Sequence, residues 1–215
     1  MKKSIISKIS IISVVVCVFL SCERDGEIVF SPAGVPVDLG LSVKWASCNV
    51  GANSPEDYGD YFAWGEVIPK NEFSYEGYLY RDNNPKILPP HADAATVNWG
   101  GSWRMPTDAE LTELREQCTW TWTSQNGVNG YKVTSKSNGN SIFLPAAGQL
   151  GRAGSYGYYW SSSLNTYNLD YAWGMHFYYM SYVDYYKSDV GRGNPCRYDG
   201  LSVRRREAAH AQVDG

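Results

Sequence analysis

Histidine is scarce in this chain: three in 215 residues, at His91, His176 and His210, scattered and each read as packed or solvated. That leaves little for a histidine-built zinc site, and no cysteine spacing supplies one. There is no Ser/His/Asp set, no phosphate-binding glycine loop and no HExxH motif, so the sequence offers no familiar hydrolytic or nucleotide chemistry. Positive charge is not in excess, with 19 Lys and Arg against 22 Asp and Glu. No apolar run reaches the ~20 residues that a spanning helix needs. No repeat of fixed period recurs, and no cofactor is implied.

What is present begins with a leader. Lys2, Lys3 and Lys8 precede an apolar run from Ile9 to Leu20, and Ser21-Cys22 follows. A charged start, a short apolar stretch and a small residue before a cleavage point describe a secretory signal, here residues 1–21. Phe19-Leu20-Ser21-Cys22 resembles the lipobox of bacterial lipoproteins, although Leu20 stands where a small residue is more usual. The resemblance implies that Cys22 receives a diacylglycerol and becomes the mature N-terminus. It also implies a lipidated linker over 22–34 and a lipid-anchored location at the outer membrane or cell surface. The acidic stretch Glu23 to Glu27 resembles the surface-export tether of some outer-membrane lipoproteins, and it equally suits a solvated linker. Without the three leader lysines the balance is 16 against 22, a net charge of −6, which disfavours nucleic acid as a partner. About 190 mature residues suffice for one domain with a real core. Cys48, Cys118 and Cys196 remain, leaving room for one disulfide and one free thiol, with the pair open.

With 21 glycines, 17 tyrosines and 8 tryptophans, and short runs bounded by Gly, Asn, Ser or Pro, the chain reads as many short strands and loops. Asp38 to Ala46 reads as a first strand, and Tyr58 to Val67 as a second strand or extended loop. Residues 69–90 read as a long surface insertion. Thr107-Asp108-Ala109-Glu110 is a capping box behind Pro106, and Leu111, Leu114 and Cys118 then share one helical face. A shorter helix is expected over Ala92 to Val97. Thr119 to Thr123 alternates, and Asn138-Gly139 between Tyr131–Lys136 and Ser141–Leu144 signals a hairpin.

Seven segments, in order from about residue 35 to 206, carry a family resemblance. They are Asp38 to Ala46, Tyr61 to Glu66, Trp103 to Thr107 with Glu110 and Leu114, Phe143 to Gly148, Tyr159 to Ser163, Ala172 to Phe177, and Gly200 to Arg204. Together they resemble the fibrobacter-type major paralogous domain of Bacteroidetes lipoproteins. What the resemblance implies is an α+β, C-type-lectin-like single domain over 35–206, of many short strands with one or two helices, whose first and last strands lie together. This is the fold of formylglycine-generating enzymes and of the variable proteins of diversity-generating retroelements. Residues 207–215 would be a loose tail. The oxidase reading needs copper held by two cysteines in the C-terminal part, where only Cys196 stands, so no enzyme is expected. The Glu-Pro-Asn signature of calcium-dependent sugar sites is missing, and no metal is implied.

Eleven of the 17 tyrosines fall between 156 and 198, interspersed with Asn, Ser, Asp and Gly. That composition suits an adaptable binding surface, because tyrosine brings wide contact area at low entropic cost. The predicted ligand-binding residues are Tyr156, Tyr158, Asn165, Tyr167, Tyr171, Tyr178, Tyr179, Tyr182, Asp184, Tyr185, Tyr186 and Asn194. Trp160, Trp173 and Phe177 are expected buried beneath them, since Trp173, Met175 and Phe177 alternate along one strand face. The pattern also resembles a retroelement-diversified region, in which template adenines are randomised between fixed frames. The ligand is a protein or a glycan. A non-diversified glycan-binding domain and a structural pilus or surface-layer part are the alternatives.

Overall fold

The computed structural model describes residues 34–149, 153–179 and 189–208. The leader, Cys22, Tyr182, Asp184, Tyr185 and Tyr186 lie outside the described residues. The described backbone is mostly β, with few helices and three sheets. In chain order it runs β1 (Pro36–Val37), β2 (Val43–Asn49), β3 (Tyr61–Phe62), a 3-10 turn (Pro90–Ala92), α1 (Ala94–Trp99), α2 (Asp108–Gln117), β4 (Cys118–Gln125), β5 (Val128–Ser135), β6 (Ser141–Pro145), β7 (Tyr156–Leu164), β8 (Ala172–Tyr178), β9 (Asp189–Gly193), β10 (Leu201–Ser202) and β11 (Arg204–Ala208).

The helix α2 starts where its capping box dictates. Thr107 Oγ1 accepts from the Glu110 amide at 3.3 Å, and Glu110 Oε2 accepts from the Thr107 amide at 2.7 Å. Glu110 also pairs with Arg104 and Arg206, fixing the helix start to the last strand. Leu111 and Leu114 face the core, and the backbone turns extended at Cys118 and runs straight into β4. There the Thr/Trp alternation turns Trp120 and Trp122 toward Tyr131 and Phe177.

Antiparallel β4, β5 and β6 form one sheet. Residues 136–140, with Gly139 at φ 77°, do join β5 to β6. A tighter turn joins β4 to β5 at Asn126-Gly127, where both φ angles are positive, 49° and 82°. That is the two-residue hairpin turn which Asn-Gly favours. A second sheet has the order β1-β2-β11, pairing Trp45 with Arg206 and Val43 with Ala208. The closing strand β11 therefore lies beside β2, and both belong to the sheet that holds β1. The third sheet has the order β3-β10-β7-β8-β9, with β10 parallel to β7.

Two expectations change and two open readings are resolved. The strand expected over Asp38 to Ala46 is β2 and begins at Val43, because Asp38 Oδ1 accepts from the Gly40 amide at 2.7 Å and makes a turn there. Of the two readings of Tyr58 to Val67, the loop holds for all but β3, which is bounded by Gly59 and Gly65 at φ 71° and 82°. Glu207 and Ala208 belong to β11, paired with Lys44 and Val43, rather than to a tail. Cys48, Cys118 and Cys196 are all free thiols.

Two apolar clusters fill the interior. One gathers Trp45, Leu111, Leu114, Leu144, Tyr159, Met175 and Phe177; the other gathers Phe62, Trp64, Met105, Trp160, Leu164, Leu201 and Val203. Several of their polar atoms are tied to backbone, while Trp45 Nε1 has no hydrogen-bond partner among the described residues. Trp160 donates to Phe62 O at 2.8 Å, Trp64 to Ser161 O at 3.0 Å and Tyr159 to Pro145 O at 2.7 Å. Ser161 donates to Trp173 O, and Ser162 to Pro106 O, while Ser163 accepts from the Asp108 amide. Arg204, fully buried, donates to Ala46 O and Phe143 O.

Candidate functional site

Alternation along β7 and β8 sorts the aromatic residues onto two faces. Gly157, Tyr159, Met175 and Phe177 point into the first cluster. Gly157 lacks a side chain because the Phe177 ring lies where a Cβ would stand. On the opposite face Tyr156 pairs with Tyr178, and Tyr158 with His176. Ring centroids are 6.5 Å apart for Tyr156 and Tyr178, and 6.0 Å for Tyr158 and His176; His176 and Tyr178 stack at 6.2 Å with planes 2° apart. The result is a four-ring patch across two strands. Tyr156 is exposed and the other three are half-buried. Gly191 of β9 sits opposite His176, and a Cβ there would come within 2.8 Å of the imidazole.

The other predicted residues separate from this patch. Tyr179 turns away and stacks on Trp122, 5.1 Å between centroids with planes 4° apart. Tyr167 is 93% exposed at the β7–β8 loop. Asn165 is not a surface residue: it is 4% exposed, and its Oδ1 accepts from the Tyr167 amide at 3.0 Å, shaping that loop. Tyr171 bridges to Cys196, and Asn194 is exposed just past β9. The length of β8 separates Tyr178 from Tyr171 by about 23 Å at ~3.3 Å per residue. The tyrosine-rich segment thus feeds two sites at opposite strand ends, not one continuous surface.

Trp173 also departs from expectation. It shares a face with Met175 and Phe177 but lies past the edge of the first cluster and is half-buried. The Arg192 guanidinium covers it, 3.3 Å from the ring centroid.

At the Tyr171 end, Arg197 organises the chain. It is 3% exposed and donates to Tyr80 O, Asn83 O, Leu169 O and Asn84 Oδ1 between 2.6 and 2.9 Å, and to the Tyr78 hydroxyl at 3.0 Å. This one side chain ties the 69–90 insertion to the loop before β8. Tyr78, buried and donating to Trp64 O at 2.7 Å, has its phenol pushed well above the usual range by burial. The Tyr198 phenol is pushed up to about 12, first by its hydrogen bond to Cys196. No residue spacing encodes the insertion's part in this site, whereas the period-2 placement of 156, 158, 176 and 178 is the signal that puts His176 in the patch.

No family model, curated protein or solved structure matches this chain.

Proposed function

We propose that the protein is a lipid-anchored extracytoplasmic binding module of C-type-lectin-like fold, which takes a protein or glycan ligand on the aromatic patch of β7 and β8. One observation carries this reading: Tyr156, His176 and Tyr178 stand in register on the outer side of a sheet whose inner side is anchored by Phe177 and Met175, and Tyr158 joins them where it packs against the second apolar cluster. Rings held this way lose little freedom on binding, and the buried frame insulates the fold from changes at the surface. The adjacency of β2 and β11 supports the fold assignment, since this fold brings its first and last strands together. Diversification by a retroelement is part of the proposal. It predicts a reverse transcriptase gene nearby and a near-copy of the codons for residues 156–204 that differs at adenines.

The functional test is a glycan and surface-protein array probed with the full-length protein in detergent, beside a Tyr156→Ser/Tyr178→Ser variant. Binding that the variant loses supports the reading. Identical binding by both proteins contradicts it.

A further inference from the structure

Away from the patch, at the other end of β7 and β8, an open pocket of about 390 Å³ lies between the 69–90 insertion and the residues around Tyr171 and Tyr198. Its size falls in the range of small-molecule sites. We propose that it is a second, separate binding site, which receives one neutral hexose-sized carbohydrate unit.

The walls are aromatic. Tyr75 and Tyr198 meet edge to face, 6.0 Å between centroids with planes at 86°, and Tyr171 lies beside Cys196. Tyr75 is 52% exposed, and Tyr171 and Tyr198 are half-buried, so ring surface is open to a ligand. The rim carries Asp82 and Asp170, both exposed, and neither forms an ion pair among the described residues. The floor is Arg197, whose donors are spent on carbonyls, an amide oxygen and a phenol, with no carboxylate among those partners. Arg81 sits over the Tyr75 ring at 5.3 Å.

Charge decides between ligand classes. Aromatic rings with carboxylates also describe a cage for an organic cation. Here a cation would sit above the Arg197 guanidinium and beside Arg81, and like charges at close range repel strongly where water is partly excluded. An anion would meet Asp82 and Asp170. A neutral polyol conflicts with neither. Its hydroxyls donate to the two carboxylates in charge-assisted bonds and accept from phenols, while its apolar C–H face lies against a ring. The pocket is also preformed, because Arg197 fixes the insertion to the β8 side before any ligand arrives, and that lowers the ordering cost of binding.

The test is ligand-observed saturation-transfer NMR on the full-length protein in detergent, with methyl glucoside, methyl mannoside, methyl galactoside and methyl N-acetylglucosaminide as probes and choline as the cationic control. At least one hexoside should show transfer. Asp170→Asn and Tyr171→Ala should each weaken it by about tenfold or more, while Tyr156→Ser/Tyr178→Ser leaves it intact. Asp82→Asn, a second exposed rim change, should weaken binding with melting unchanged. Transfer to choline alone, no transfer to any hexoside, or transfer that survives both Asp170→Asn and Tyr171→Ala overturns the proposal. Hexoside binding lost only with Tyr156→Ser/Tyr178→Ser also overturns it, while supporting the patch as the sugar site.

Discussion

Arg192 lies over Trp173, its guanidinium carbon 3.3 Å from the ring centroid, and from there forks onto Asp108 at 2.9 and 2.7 Å. The contact joins β9 to the start of α2 across the rim of the core. Trp173 is thus an edge contact rather than an anchor. Trp173→Ala is expected to cost about 1–2 kcal/mol, the scale of a partly exposed cation–π pair. Phe177→Ala or Trp160→Ala, both fully buried, should cost about 3–5 kcal/mol. Urea denaturation of the three variants checks the ordering.

The Trp173 case shows what a sequence can and cannot convey. Alternation identifies the strand face that Trp173 shares with Phe177, but not where the core beneath that face ends. Local signals were legible: Thr107 and Glu110 mark a helix start, and Asn138-Gly139 marks a connection between strands. Asn126-Gly127 was equally legible and makes the tighter turn. Contacts between distant segments were not. The reach of Arg197 to Tyr80, Asn83 and Leu169 follows from how the insertion is laid down, and no residue spacing encodes it. Composition drew attention to the tyrosines, yet strand length, not composition, divides them between two sites.

Gly157→Ala tests the packing behind the patch. A methyl group there meets the Phe177 ring, which is held on all sides by the first cluster. Overpacking of this kind should cost about 1–3 kcal/mol. Thermal melting measures it, and a companion Phe177→Leu change should recover part of the loss.

Asn165 and Tyr167 were predicted to share one role, and the structure gives them opposite ones. Asn165→Ala removes the acceptor for the Tyr167 amide and should destabilise the fold by about 1 kcal/mol or more. Tyr167→Ser, at a position 93% exposed, should stay within about 0.5 kcal/mol. Chemical denaturation of both variants separates loop-shaping from surface.

Stability should vary with pH through Asp93. Burial, the largest influence, pushes its carboxyl above the usual range, against the lowering effect of hydrogen bonds from the Thr96 and Met105 amides. The folded protein therefore holds this proton more tightly than the unfolded chain. The resulting contribution is fully present below the unfolded value of about 4 and is lost as pH rises through the folded value. Asp93→Asn keeps an oxygen for the Thr96 and Met105 amides and should flatten the melting profile above pH ~4. Calorimetric scans across that range compare the two proteins.

The binding account rests on opposite demands made of adjacent residues in β7 and β8. Its most direct measurement is a paired one, melting temperature and array binding, on the Tyr156→Ser/Tyr178→Ser variant. The account predicts a folded protein, with a loss well short of the about 3–5 kcal/mol that a buried aromatic would cost, and no residual binding at the patch. A variant that unfolds, or one that still binds as the natural protein does, contradicts it.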